Sequence, residues 1–300
     1  MTMDRVMTTV REDRAFLTVL GDTAAAFLQG LLSQDVTKVA PGVACYGALL
    51  TPQGKFLHDL FLTAPLDGAP GILLECEAER ADDLLLRLKR YRLRAKVELT
   101  PVEGLVVGLA WGARPFGLDP RPGHAEMRDG AMLYTDPRLA DLGVRVIGPR
   151  AAVAGILSGA SAPDDRAAYD RLRLSLGVPE GGRDISIDKG FLLESGFDEL
   201  HGVDWLKGCY VGQEVTARTK YRGLVKRRLM PVRIEGPAPE IGAALDFNGK
   251  NAGEMRGAEG DVGLALIRLD AWRAAKAAGE PIAAGAARLW PEKPDWAAFE

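Results

Sequence analysis

The sequence predicts a soluble α+β protein of two mixed units followed by a small β-barrel or sandwich. Three observations carry that expectation. At 300 residues the chain exceeds one average domain, so two or three units with their own cores are expected. Strand-like apolar runs alternate with helix-like amphipathic stretches as far as residue 223. From residue 224 the pattern changes to short strands punctuated by glycine and proline. The units are expected at 1–105, 106–223 and 224–300, the first two free to interleave.

Each element follows from its own stretch. "AFLTVLG" (15–21) reads as a strand, and Asp22 as the N-cap of a helix through "TAAAFLQGLL", where Phe27, Leu28, Leu31 and Leu32 share a face. "CYGALLTPQGKFLHDLFLTA" predicts two strands joined at Thr51-Pro52-Gln53-Gly54. "GILLECEA" is a further strand, and "ERADDLLLRLKRYRL" a helix turning Leu84, Leu85, Leu88 and Tyr91 inward. "GLVVGLAW", "AMLYTD" and "LGVRVIG" are strands; helices follow near 150–158 and 164–176, the second stopped by Gly177 with Pro179 beyond. In the last segment "LVKRRLMPVRIEG", "AALDFNG", "NAGEMRG", "DVGLALIRL" and "AARLWPE" are strands, interrupted by the helix "DAWRAAKAAG".

Composition excludes several classes. A hydrophobic share of 47% with 26% charged residues belongs to a globular chain. A net charge of -3 gives no global attraction to nucleic acid or an anionic membrane, so neither is expected as a partner. Asp4, Glu12 and Asp13 interrupt the N-terminus, unlike a secretory signal, and no apolar run reaches the roughly eighteen residues of a membrane span. Cys45, Cys76 and Cys209 are odd in number and far apart, which suits a reducing compartment and makes the cytoplasm the expected location. His58, His124 and His201 are scattered without CxxC or HExxH spacing, so no zinc site is expected. Dinucleotide, P-loop and nucleophile-elbow signatures are likewise missing.

The stretch "DWLKGCYVGQEVTARTKYRG" (204–223) stands apart. A thiol becomes a useful nucleophile when a helix N-terminus or a nearby cation stabilises its thiolate. Cys209 has Lys207 two residues upstream and a predicted helix start near Gly212-Gln213-Glu214, whose Glu214, Arg218, Lys220 and Arg222 suit the helix dipole. The alternative is a cysteine packed as a small hydrophobe, the expectation for Cys45 and Cys76. Arg218, Lys220, Arg222, Lys226, Arg227 and Arg228 form a basic run that could attract an anionic ligand or simply be a solvated surface.

"KGCYVGQE" resembles the signature of the YgfZ family of folate-binding proteins, bacterial relatives of the mitochondrial iron-sulfur assembly factors; Lys207, Gly208, Cys209, Tyr210, Gly212, Gln213 and Glu214 fill it. "FLQGLLSQDV" (27–36), "TPQGKFLHDLFL" (51–62), "YRLRAKVEL" (91–99), "GVPEGGRD" (177–184) and "ESGFDELHGVDW" (194–205) follow in that family's order. The family is similar in fold to the T-protein of the glycine cleavage system, a tetrahydrofolate-dependent aminomethyltransferase. The resemblance therefore implies a T-protein-like fold, with two α+β folate-binding units around a central cavity and a C-terminal β-barrel.

It also implies ligands and roles. Glu194 falls where T-proteins bind the pterin ring, a task suited to a carboxylate because it accepts paired N–H bonds. Tyr169 falls where an aromatic can stack beside folate, the alternative being a core aromatic. T-proteins carry an Asp-Asp pair where this chain has His58-Asp59, which keeps Asp59 as a candidate catalytic acid but puts the aminomethyl transfer in doubt; both could instead be surface groups. The implied function is a tetrahydrofolate-binding protein that uses Cys209, with Lys207 beside it, to support assembly or repair of iron-sulfur enzymes and iron-sulfur-dependent tRNA modification. Its partners would be folate, with Arg218 as a candidate contact, and iron-sulfur client or assembly proteins. The alternatives are a folate-dependent transferase or demethylase acting on a small amine, and a non-catalytic folate-binding scaffold.

Overall fold

In a computed structural model describing residues 5–160 and 164–299, the apolar runs of the first half become ten strands. They are β1 (Val6–Arg11), β2 (Arg14–Leu20), β3 (Cys45–Leu50), β4 (Phe56–Thr63), β5 (Gly71–Glu77), β6 (Glu98–Val102), β7 (Leu105–Gly112), β8 (Ala125–Arg128), β9 (Ala131–Thr135) and β10 (Val144–Pro149). One five-stranded sheet has the order β3-β4-β5-β2-β6, the other β1-β7-β10-β9-β8. β4 is buried along its whole length, its polar His58 and Asp59 included, as a strand covered on both faces must be. β1 joins the second sheet by pairing Val6 with Gly112 through Arg11 with Val107, although strands of the first sheet follow it in the chain.

Three helices, α1 (Ala24–Gln29), α2 (Ala81–Arg92) and α3 (Arg150–Leu157), accompany these sheets. α3 seals the second sheet through Val153, Ile156 and Leu157, which pack with Leu133, Val144 and Val146. Two expectations are corrected. Asp22 does not cap α1: Thr23 holds the N-cap position without a side-chain bond, and Leu31 and Leu32 lie beyond the helix end, buried all the same. In α2 only Leu84 and Leu88 are buried; Tyr91 shares their stripe but lies in the final turn and is 38% exposed, since a helical stripe is covered only where something packs opposite it.

The two sheets also share a buried polar network that strand periodicity does not announce. Glu75 on β5 accepts Arg14 Nε at 2.7 Å, a guanidinium bond from Arg145 on β10, and the Tyr134 hydroxyl at 3.1 Å. Arg138 pairs with Asp136 at 2.8 Å, and the Arg145 guanidinium lies 3.9 Å from the centre of the Phe61 ring. Burial alone would push the Glu75 carboxyl up, but Arg145 and Arg14 hold it below the usual range.

After residue 165 come α4 (Arg166–Ser175), α5 (Gly181–Asp184) and α6 (Gln213–Tyr221). Gly177, at φ +72°, ends the α4 segment as expected. β11 (Arg227–Glu235), β12 (Ala244–Phe247), β13 (Lys250–Glu259), β14 (Val262–Arg268), β15 (Ile282–Ala284) and β16 (Ala287–Pro291) then close a barrel in the order β11-β14-β13-β12-β15-β16. α7 (Leu269–Ala278) packs Trp272 and Ala275 into the barrel core beside Met230, Ile234, Met255 and Leu289. Of the barrel strands only β15 has no counterpart in the sequence reading, because three residues show no period.

"GVPEGGRD" is explained here. Arg173 of α4, 1% exposed, binds Asp170 at 2.8 Å, Asp184 at 2.5 Å and Glu180 at 3.3 Å. Arg256 of β13 reaches the Asp184 carbonyl at 2.9 Å and the Ser186 hydroxyl, tying the barrel to α5. By packing, the chain groups into one unit of Met1–Leu50, His58–Arg166 and Leu200–Val211, which holds both sheets, and another of Thr51–Leu57, Ala167–Glu199 and Gly212–Glu300, which holds the barrel.

Candidate functional site

In the first unit the motif segment lies on the loop that leaves α1. "FLQGLLSQDV" and "HGVDWLKGCYV" are far apart in sequence, yet they are joined bond by bond. The Ser33 hydroxyl donates to the Gly202 carbonyl at 2.5 Å, Asp204 N–H to Ser33 O at 3.0 Å, and Val211 N–H to Gly30 O at 3.1 Å. At the centre the Lys207 ammonium, 8% exposed, donates to the carbonyls of Gln29 at 2.9 Å, Leu32 at 2.5 Å and Gln34 at 2.9 Å. Burial pushes the Lys207 pKa down to about 8, against the pull of Asp35 and Asp204.

An ammonium has three protons, and these three carbonyls take them all, so Lys207 has no N–H left to donate to Cys209. In this arrangement the ammonium ties the motif segment to the end of α1 and the residues after it. Asp204 completes the fold of the loop by accepting the N–H groups of Leu206 at 2.7 Å and Lys207 at 3.1 Å, with Lys38 pairing at 2.5 Å. Tyr210 is buried, its ring 5.0 Å from the ammonium, whereas Cys209 and Gly208 are exposed to solvent. Neither a positive φ nor a close neighbour demands glycine at 208.

The His58-Asp59 pair belongs to the interior of this unit, not to its surface. Asp59 is 2% exposed and accepts the Tyr46 hydroxyl at 3.1 Å, so it presents no open face to a small amine. His58 is equally buried, 2.9 Å from an Asp83 oxygen, and burial with the nearby Arg80 lowers its pKa from 6.5 to about 4. The folded state therefore keeps a neutral imidazole while the unfolded chain takes up a proton below about pH 6.5. This contribution is complete above that pH and is lost as pH falls toward about 4. Urea unfolding is expected to show about 2 kcal/mol less stability from this group near pH 5 than near pH 7.5, and a flatter profile for His58→Gln. Identical slopes in the two proteins would refute this role for His58.

In the second unit, α6 starts at Gly212, which adopts φ +83°. The turn Thr51–Gly54 abuts this helix start: Gly54, at φ +74°, would place a Cβ 3.0 Å from Val215 Cβ and 3.1 Å from Gly212 O. Only glycine meets both demands. Gln213 and Glu214 open α6, Glu214 exposed; Arg218 is exposed further along, and Lys220 pairs with Asp198 at 2.6 Å.

Glu194, half-buried in the turn 192–195, is gripped by Arg227 through Nε at 3.0 Å and Nη2 at 3.1 Å. Lys55 lies close enough for burial to lower its pKa while Glu194 pulls it up; its ammonium donates to Lys189 O at 3.1 Å and stands 3.3 Å from the Phe191 ring centre. Tyr169 is 1% exposed on α4 and offers no ring face to a ligand, so packing, not stacking, is its role. Sequence reasoning missed Arg227 as the partner of Glu194 and the carbonyls of Gln29, Leu32 and Gln34; backbone acceptors leave no trace in side-chain patterns. Among the described residues no group of His, Cys, Asp or Glu could hold a metal ion, and no helix is long and apolar enough to cross a membrane.

Comparison with known proteins defines the class first. The fold matches that of the glycine cleavage system aminomethyltransferase T from Bartonella henselae with a TM-score of 0.69, at 18% identity over 89% of this chain and 79% of that one. Residues 226–299 match the family model of the CAF17 C-terminal β-barrel domain. The molecule thus has the aminomethyltransferase T fold and carries a CAF17-type C-terminal β-barrel. Among curated proteins, the mitochondrial iron-sulfur cluster assembly factor IBA57 of Mus musculus is 34% identical over 86% of this chain and 76% of its own, and that of Homo sapiens 33% identical over 93% and 84%. The chain belongs to the IBA57 family of iron-sulfur cluster assembly factors.

Proposed function

We propose that the protein is a tetrahydrofolate-binding assembly or repair factor for iron-sulfur enzymes, a bacterial YgfZ-type member of its family, working through Cys209. One observation carries the reading: an exposed thiol on a segment that Lys207 holds by three carbonyl bonds, in a chain of this family. A thiol presented on a fixed backbone can meet a protein-borne cluster or a client cysteine without first ordering its own loop. Support for iron-sulfur-dependent tRNA modification as a downstream effect, and for the cytoplasm as compartment, comes from the sequence resemblance and from three free cysteines.

Glu194 is the residue that fits a pterin. Arg227 fixes its carboxylate in plane and occupies part of its capacity, and the remaining lone pairs can accept the amino and ring N–H groups of the heterocycle. Arg218, exposed and without an ion pair among the described residues, suits the anionic end of a folate. When bound, tetrahydrofolate would supply a one-carbon carrier. The aminomethyl-transferase alternative needs an accessible acid, and the enclosed Asp59 does not favour it.

Titration with tetrahydrofolate tests the folate half. Glu194→Ala is expected to weaken binding at least about tenfold, the loss of charge-assisted hydrogen bonds, with Cys209→Ala unchanged. Equal affinity in Glu194→Ala would remove the carboxylate from the site, and no binding by the native protein would end the folate reading.

A further inference from the structure

The last turn of α2 and the residues after it present Lys89, Arg90, Arg92, Arg94 and Lys96, all exposed, and none makes an ion pair among the described residues. In the other basic run only half are unpaired: Lys220, Arg227 and Arg228 pair with Asp198, Glu194 and Glu199, while Arg218, Arg222 and Lys226 make no ion pair among the described residues. A chain of net charge -3 thus leaves five adjacent cations uncompensated in one place.

In their midst stands Leu93. It is 88% exposed and sits at φ 41°, ψ −104°, a backbone region that branched side chains avoid and glycine enters freely. A strained residue that exposes an apolar side chain does nothing for the fold, and such outliers concentrate where function holds them. Tyr91, two residues before it, is 38% exposed, and Leu86 on the same helix 49%.

We propose that this surface docks a protein partner whose acidic face surrounds an apolar pocket for Leu93. The five cations need carboxylates, and arginine with tyrosine around a buried apolar anchor is the composition of interface centres. Nucleic acid would satisfy the charges, but a phosphate backbone gives Leu93 nothing to enter. A bilayer would accept one leucine, yet the apolar stripe of α2, Leu84 and Leu88, is committed to the core, and what remains is too small to anchor. This proposal depends on neither Cys209 nor folate.

The test uses the full-length protein and four fluorescent or vesicular probes: a peptide alternating glutamate and leucine, a polyglutamate of equal charge, an RNA oligonucleotide, and phosphatidylserine vesicles. The glutamate–leucine peptide is expected to bind at least about fivefold tighter than polyglutamate, and the combined Arg90→Glu, Arg92→Glu and Arg94→Glu exchange to weaken it at least about tenfold. Leu93→Gly is expected to lower peptide affinity about fivefold while raising the unfolding temperature, because glycine relieves the positive φ. RNA or vesicles binding more tightly than the peptide would overturn the proposal. So would peptide affinity that ignores Leu93.

Discussion

Cys209→Ala is expected to abolish restoration of [4Fe-4S] enzyme activity in cells lacking the endogenous protein, without measurable loss of fold. The side chain is exposed, and the polar bonds that hold its segment come from Lys207, Asp204, Ser33 and Val211. Exposed substitutions of this kind usually change stability by no more than about 0.5 kcal/mol, which is about 1–2 °C in unfolding temperature for a chain of this size. Cys209→Ser is expected to fail as well, since a hydroxyl of the same shape lacks the acidity and softness of a thiol. Full restoration by either variant would sink the cysteine's role, and because the protein remains folded, failure to restore could not be blamed on misfolding.

The largest stability effect belongs to Arg173→Met. Asp170, Glu180 and Asp184 surround this guanidinium, and Arg183, 40% exposed, would be left to neutralise them from the rim. Removing one partner from a buried ionic cluster costs about 3–5 kcal/mol, and in a chain of this size that lowers the unfolding temperature by at least about 6 °C. The deficit should shrink as pH falls, because protonation neutralises the stranded carboxyls and the native protein loses the same pairs. A loss below about 1 kcal/mol at neutral pH would show that the cluster is solvated.

The strands were legible wherever apolar residues ran at strand length: β2 to β5, β7, β9, β10 and five strands of the barrel match the stretches that foretold them. β1 was not, since "VMTTVR" has a weak pattern and takes its place only by pairing with β7 about a hundred residues on. The candidate site was legible in kind but not in assembly. "KGCYVGQE" identified the thiol, while the bond from Lys207 to Gln29 spans 178 residues, and no local rule reaches that far. Charged residues in strand positions, such as Glu75 and Arg145, were unreadable for a related reason: whether a charge is buried depends on whether its opposite lies across the core.

The cradle around Lys207 explains why lysine, of the two large basic residues, occupies that position. Three carbonyl oxygens from the end of α1 and the loop after it converge on a single nitrogen, and a tetrahedral ammonium points its protons out from one centre to meet them. A guanidinium spreads its donors along the edges of a flat, wider fork, so it would reach past the convergence point and leave carbonyls unmet. Exchange of one cation for the other, harmless on most surfaces, is at residue 207 a change of coordination shape.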